Sequence, residues 1–197
     1  LDVGCAAGGL GFALNDHFNV INYIGLDINK SVIEYAKRQD VPVGGKFRFI
    51  HGDIADSSLF SEREIFDLVI SFGCVDWNVN FRKSLEACWA LVKPGGYFIS
   101  SIRLTPEPGI NDIKNSYQHI LFSGTGPKED VEKANYIVVN IFDALRLLSE
   151  FKPANIDVYG YWGEPSGTTV TPYDRIIFSV FAVKKCEEGT SLEPSLR

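Results

Sequence analysis

Leu1-Asp2-Val3-Gly4-Cys5-Ala6-Ala7-Gly8-Gly9-Leu10 opens the chain, and its reading decides the fold. A short apolar run ends in a turn of small residues and continues into a helical pattern. Such a strand-turn-helix unit aims backbone N–H groups and a helix N-terminus at one point, with no Cβ in the way of a ligand's polar groups. The turn parses in two ways. Gly4-x-Ala6-x-Gly8 is a nearly regular GxGxG, and Gly4-x-Ala6-x-x-Gly9 is a nearly regular GxGxxG. A glycine pattern alone does not separate them.

Outward from the turn, strand-like runs at 1–3, 23–27, 46–51, 66–72 and 96–103 alternate with helical patterns at 10–18, 31–39 and 81–91. This alternation is the signature of parallel βαβ units. A helical pattern over 134–150 and strand-like runs at 155–161 and 175–184 follow. About a dozen residues separate the last two runs, too few for a crossover helix, so these strands are expected to pair antiparallel. The expected fold class is therefore α/β: a doubly wound, seven-stranded, mostly parallel sheet with an antiparallel terminal strand pair. Ser31 with Glu34 has the form of a capping box, and Pro94-Gly95-Gly96 is expected to stop the preceding helix. Residues 1–185 read as one domain and the polar stretch 186–197 as a flexible tail. Residues 104–133, with Pro106, Pro108, Gly109, Gly124, Gly126 and Pro127, form a long excursion after the carboxyl end of a strand. Open α/β sheets place ligands there, so the segment is expected to be a substrate lid carrying a short helix over 111–121.

With 197 residues, 45% of them hydrophobic and 13% aromatic, the chain is long enough for one domain with a substantial core. A net charge of −6 argues against a surface that tracks phosphates, so no nucleic-acid partner is expected. Apolar runs such as 176–183 are too short to span a bilayer, and no membrane partner is expected. Cys5, Cys74, Cys88 and Cys186 show no CxxC spacing and no neighbouring His, which predicts no metal and a reducing, cytoplasmic setting. The chain starts at Leu1 and contains no methionine, and it is expected to be the interior of a longer polypeptide. No heptad pattern speaks to oligomeric state.

The chemistry sits at the strand ends. Asp27 follows Gly9 by roughly 18 residues, where a carboxylate can accept both hydroxyls of an adenosine ribose. Asp53, in His51-Gly52-Asp53-Ile54, ends the third strand in the same way and could accept from an adenine amine, with Ile28 and Ile54 flanking the purine. An Asp after a strand is also a common helix N-cap. Phe66-Asp67-Leu68-Val69-Ile70-Ser71-Phe72-Gly73 and Leu91-Val92-Lys93-Pro94-Gly95-Gly96 add two further segments.

With these five segments in this order, the chain resembles the class I S-adenosylmethionine-dependent methyltransferases. The resemblance covers 1–103 closely and 134–184 only through its helix-strand-strand pattern. It implies S-adenosylmethionine as cofactor and S-adenosylhomocysteine as product. Gly4, Cys5, Ala6 and Gly8 would pass beside the methionine moiety, and Asp2 would order its amino end. Asp27 would hold the ribose, Asp53 the adenine amine, and Ser71 with Phe72 would supply main-chain contacts. Ala6 stands where the family has a second glycine, and its methyl is tolerable if the backbone there is not left-handed.

Methyl transfer is an in-line displacement, so the protein must align a nucleophile and exclude water. A hydroxyl acceptor also calls for a base. Asp76, just past the fourth strand, and His119, in the expected lid, are the candidates, against the plainer readings of a capping Asp and a surface His. His51 reads as structural, and Cys5 as a small packing residue. Tyr159, Tyr161, Trp162 and Tyr173 read as core or cross-strand aromatics around a loop that opens on the ligand side. The expected function is methyl transfer to a small-molecule hydroxyl or amine. One alternative is a binding module without turnover. Another is a nicotinamide-dependent oxidoreductase using Gly4-x-Ala6-x-x-Gly9 and Asp27, which leaves Asp53 unexplained.

Overall fold

Side chains alternate across a strand, and here that alternation sorts the core into two layers. The computed structural model describes residues 1–18, 20–40, 46–61, 64–120 and 132–189. Strands β1 (Asp2–Val3), β2 (Asn22–Asp27), β3 (Lys46–His51), β4 (Phe66–Ser71) and β5 (Val92–Thr105) run parallel in the order β3-β2-β1-β4-β5. Tyr23, Phe47 and Phe49 meet helices α1 (Gly9–His17) and α2 (Lys30–Ala36) on one face. Ile24, Leu26 and Ile50 meet the layer of α3 (Phe81–Ala90) on the other. Tyr23 is central to the first layer: its hydroxyl donates to Asp2 Oδ2 at 2.6 Å, and a Cβ on Gly11 would lie 2.5 Å from its ring, so α1 rests directly on it.

Beyond β5 the chain adds β6 (Tyr117–Ile120), β7 (Glu132–Asn135), β8 (Val139–Asn140), α4 (Ile141–Glu150), β9 (Asn155–Gly163), β10 (Thr169–Val170) and β11 (Ile176–Lys184). β11 lies antiparallel between β5 and β9, so the main sheet ends β5-β11-β9, as the short connection requires. β8 pairs with the end of β5, and β10-β6-β7 form a separate three-stranded antiparallel sheet. Among the described residues no helix is long and apolar enough to cross a membrane.

Five local expectations change. Residues 134–140 are strand and irregular chain rather than helix: Ile137-Val138-Val139 is a β-branched run, and helix α4 starts only after Asn140, whose side chain accepts the N–H groups of Phe142 and Asp143. Residues 117–120 are a strand rather than part of a short helix; 121–131 and 190–197 of the expected lid and tail lie outside the described residues. Asn29, not Ser31, caps α2, accepting from the N–H groups of Ser31 and Val32. Pro94-Gly95-Gly96 does not end α3, which stops at Ala90; it bulges out of the pairing between β4 and β5, where Val92 faces Phe66 and Tyr97 faces Leu68. The aromatics of β9 are exposed rather than core: Tyr159 and Tyr161 are 70% and 68% accessible, with Tyr161 stacked on its cross-strand neighbour Phe178.

One buried ion pair joins the turn after β4 to β5. The 3-10 turn Val75–Trp77 follows β4 and presents Asp76, which is 2% exposed. Arg103 of β5 donates to it through Nε (2.7 Å) and its backbone N–H (3.2 Å) to Oδ2, and through Nη2 (2.5 Å) to the backbone carbonyl. The guanidinium lies 4.5 Å from the Trp77 ring and 3.8 Å from the Tyr136 ring. Burial pushes the Asp76 pKa up, and Arg103 opposes that shift.

Replacing Arg103 by Met leaves the carboxylate buried without its cation and should lower the unfolding free energy by about 3–5 kcal/mol in urea titration. Joint replacement of Asp76→Leu with Arg103→Met should recover most of that loss. A double variant no more stable than the single one would contradict this account.

Candidate active site

The turn after β1 is fastened before it meets any ligand. The N–H groups of Gly4 and Cys5 both donate to the Leu26 carbonyl, at 2.8 and 3.1 Å. Gly4 has φ +78°, and a Cβ there would lie 2.5 Å from Cys74 Cβ; Gly8 has φ +85°, and a Cβ there would lie 2.7 Å from the Phe49 ring. Both positions exclude a side chain on conformational and steric grounds. Ala6 has φ +47°, so the condition that its backbone avoid the left-handed region is not met, at a cost of roughly 1–2 kcal/mol. Its N–H donates to Asp27 Oδ2 at 2.9 Å, which helps hold the residue in that conformation.

A cleft of about 670 Å³ runs along the carboxyl ends of β1 to β4, the crevice in which open α/β sheets bind ligands. Of the predicted residues, it brings together Gly4, Ala6, Asp27, Ile28, Asp53 and Ile54. Asp27 Oδ1 accepts from the Asn29 N–H at 2.8 Å. Each of its two carboxylate oxygens thus holds one backbone donor and keeps acceptor capacity at the cleft wall. Asp53 Oδ1 accepts from the Ala55 N–H at 2.9 Å. Ile28 is largely exposed, whereas Ile54 is buried.

Five predicted residues do not line the cleft. Asp2 is buried beneath it and spends its carboxylate on Tyr23; burial pushes its pKa up, against the pull of that hydrogen bond. Cys5 packs under the turn beside Gly25, and burial pushes its thiol up to about 12, which fits packing rather than reactivity. Gly8 lies over Phe49. Ser71 is buried in β4 and Phe72 lies just beyond it, so the lining passes to Gly73 and Cys74 instead. His51 accords with its structural reading, its Nε2 lying 3.1 Å from the Ile28 carbonyl.

Neither base candidate reaches the cleft. Asp76 is locked in its pair with Arg103 and does not line it. His119 lies on β6, its backbone N–H bonded to the Thr168 carbonyl and its ring at right angles to Tyr117, also outside the lining. The far wall is made by residues the sequence reading did not single out as ligand-binding: Trp77, Asn78, Val79, Ser84, Ile113 and Asn135. Asn135 stood inside an expected helix. The β-branched run after it carried the contrary signal. Among the described residues there is no group of three or more His, Cys, Asp or Glu able to hold a metal, and all four cysteines are free.

Residues 1–144 match a family model described as a methyltransferase domain. The chain is 30% identical to the ubiquinone biosynthesis O-methyltransferase of Vibrio vulnificus over 51% of this chain and 42% of that protein. It is 29% identical to the U6 snRNA methylphosphate capping enzyme Amus of Drosophila melanogaster over 50% of this chain and 39% of that protein. The chain thus spans about 40% of the length of the curated relatives it matches. In fold it is similar to the solved structure of an S-adenosylmethionine-dependent methyltransferase from Methanosarcina mazei, with a TM-score of 0.67 at 19% identity, covering 95% of this chain and 92% of that one. The match over 1–144 shows that the chain belongs to the methyltransferase-domain family, and its doubly wound sheet has the fold of S-adenosylmethionine-dependent methyltransferases.

Proposed function

We propose that the chain transfers a methyl group from S-adenosylmethionine to a small-molecule acceptor. The observation that carries this reading is Asp27, whose carboxylate is fixed by the Ala6 and Asn29 N–H groups at the cleft edge, one strand from Asp53. The residues fit the cofactor. Asp27 retains acceptor positions for two ribose hydroxyls, Asp53 Oδ2 has no partner among the described residues and suits an adenine amine, and Ile28 with Ile54 offers apolar surface to the purine. Gly4 and Gly73, both at positive φ, keep the middle of the cleft free of side chains where the methionine part would lie.

Held by Asp27, Asp53, Ile28 and Ile54, the cofactor would supply a sulfonium-bound methyl for in-line transfer to the acceptor's nucleophile. The chain's contribution is alignment and exclusion of water. Among the described residues of the lining the charges are those of Asp27 and Asp53, both at the nucleoside end, which favours an acceptor whose nucleophile needs no side-chain base. The described part of 104–133 contributes Ile113 to the acceptor wall, in keeping with a lid over bound substrate. The absence of Lys, Arg and His from the described lining, with a net charge of −6, favours a small molecule over an RNA acceptor. Four free cysteines suit a reducing compartment such as the cytoplasm.

Calorimetric titration with S-adenosylhomocysteine tests the cofactor pose. Asp27→Ala should weaken binding at least tenfold, about 1.4 kcal/mol, and NAD should not bind; unchanged affinity in the variant would overturn the pose. Binding without turnover across hydroxyl and amine acceptors would favour the module reading. Ala6→Gly relieves the left-handed alanine and should raise Tm by about 2–4 °C, the shift that roughly 1 kcal/mol produces in a domain of this size. A lower Tm would show that the alanine is not strained.

A further inference from the structure

Two buried polar side chains on the far wall of the cleft have no hydrogen-bond partner among the described residues. Asn135, 5% exposed, has neither its Nδ2 nor its Oδ1 partnered among the described residues, and Ser84, 1% exposed, has an unpartnered Oγ. Both line the same cleft as Asp27 and Asp53. A buried carboxamide with both ends unsatisfied is rare in folded proteins and calls for an explanation. Ser84 is the same in kind: its backbone N–H donates to the Asn80 carbonyl at 3.1 Å, but its hydroxyl does not bond back to the helix.

Their surroundings narrow what they await. Asn135 sits opposite Tyr117 in the small sheet, Ser84 is on α3, and Trp77, Val79 and Ile113 are apolar surfaces of that wall. Among the described residues no cation lines this half of the cleft. The nearby guanidinium of Arg103 is committed to Asp76 and covered by Trp77 and Tyr136. Among the described residues no carboxylate lines this half either, since Asp27 and Asp53 belong to the strand ends opposite. An acceptor bearing a phosphate, carboxylate or ammonium group would bury that charge uncompensated. A carboxamide, by contrast, offers a donor and an acceptor side by side.

We propose that the acceptor half of the cleft binds an uncharged molecule, held by hydrogen bonds to the Asn135 carboxamide and the Ser84 hydroxyl against the face of Trp77; this rests on the reading of the other half as the cofactor site. The specificity it sets is for neutral, planar molecules with a carboxamide-like or hydroxyl pair, and against charged analogues of the same shape.

Benzamide, benzoate and benzylamine, which share a ring and differ in charge, are the probes, titrated calorimetrically into the protein with and without S-adenosylhomocysteine. Benzamide should bind at least tenfold more tightly than either charged analogue. Asn135→Leu, which keeps the volume, should weaken benzamide at least tenfold while leaving S-adenosylhomocysteine affinity unchanged and Tm unchanged or higher. Ser84→Ala should weaken benzamide by a smaller factor. Equal or tighter binding of a charged probe, no binding of benzamide, or a drop in Tm for Asn135→Leu would overturn the proposal. Benzamide binding without S-adenosylhomocysteine binding would support it and overturn only the cofactor reading; the reverse result would overturn this proposal alone.

Discussion

The pair of Asp76 with Arg103 is the interaction on which the far side of the cleft depends. Its charges come from two neighbouring parts of the main sheet, and the rings that cover it come from the turn after β4 and from the end of the small sheet. The Ile137 N–H donates to the Asp76 backbone carbonyl at 3.2 Å, so the strand region carrying Asn135 is tied to the same residue. A carboxylate and a guanidinium removed from water are tolerated only when hydrogen bonds satisfy them. Here one carboxylate oxygen takes two donors while Oδ1 takes none. The arrangement fixes Trp77 at the cleft and at the same time withholds from it a cation and an anion that the sequence places close by.

The near side depends on a smaller balance. Ala6 is held left-handed, and in that conformation of the turn its N–H reaches Asp27. The strain of one alanine is thus coupled to the orientation of the carboxylate proposed to meet the ribose. Gly4 and Gly8 leave no room for the same exchange, because Cys74 and Phe49 occupy the space their side chains would need. Ala6 is exposed, and only its backbone angle resists the methyl.

What was legible in the sequence follows from how local each determinant is. β2 and β3 were readable because alternation of Tyr23, Phe47 and Phe49 with Ile24, Leu26 and Ile50 is a property of the strands themselves, and Asp27 and Asp53 were readable because a strand's end fixes where the next residue points. The antiparallel end of the sheet followed from loop length alone. Asp76 was misread because its partner lies 27 residues away on another strand, and no local pattern distinguishes a carboxylate facing a ligand from one facing an arginine. The same holds for His119, whose strand is defined by pairing with 132–135 and 169–170. Asn29 displaced Ser31 as the helix cap because the chain turns one residue pair earlier than the Ser/Glu spacing suggested.

The division of the cleft into a charged half and an uncharged half bears on how such a site would accelerate the proposed transfer. When a neutral nucleophile attacks a sulfonium methyl, the positive charge concentrated on sulfur becomes spread over the reacting atoms. A carboxylate beside the methyl would stabilise the starting cation more than the dispersed charge and would therefore raise the barrier, since only preferential stabilisation of the transition state speeds a reaction. Among the described residues the two lining carboxylates lie at the proposed nucleoside end, and the proposed acceptor end presents Trp77, Ile113 and the uncharged polar groups of Asn78, Ser84 and Asn135. Binding strength and rate are thereby assigned to opposite ends of one cleft: fixed charges where a ligand must be held, and neutral walls where charge must spread.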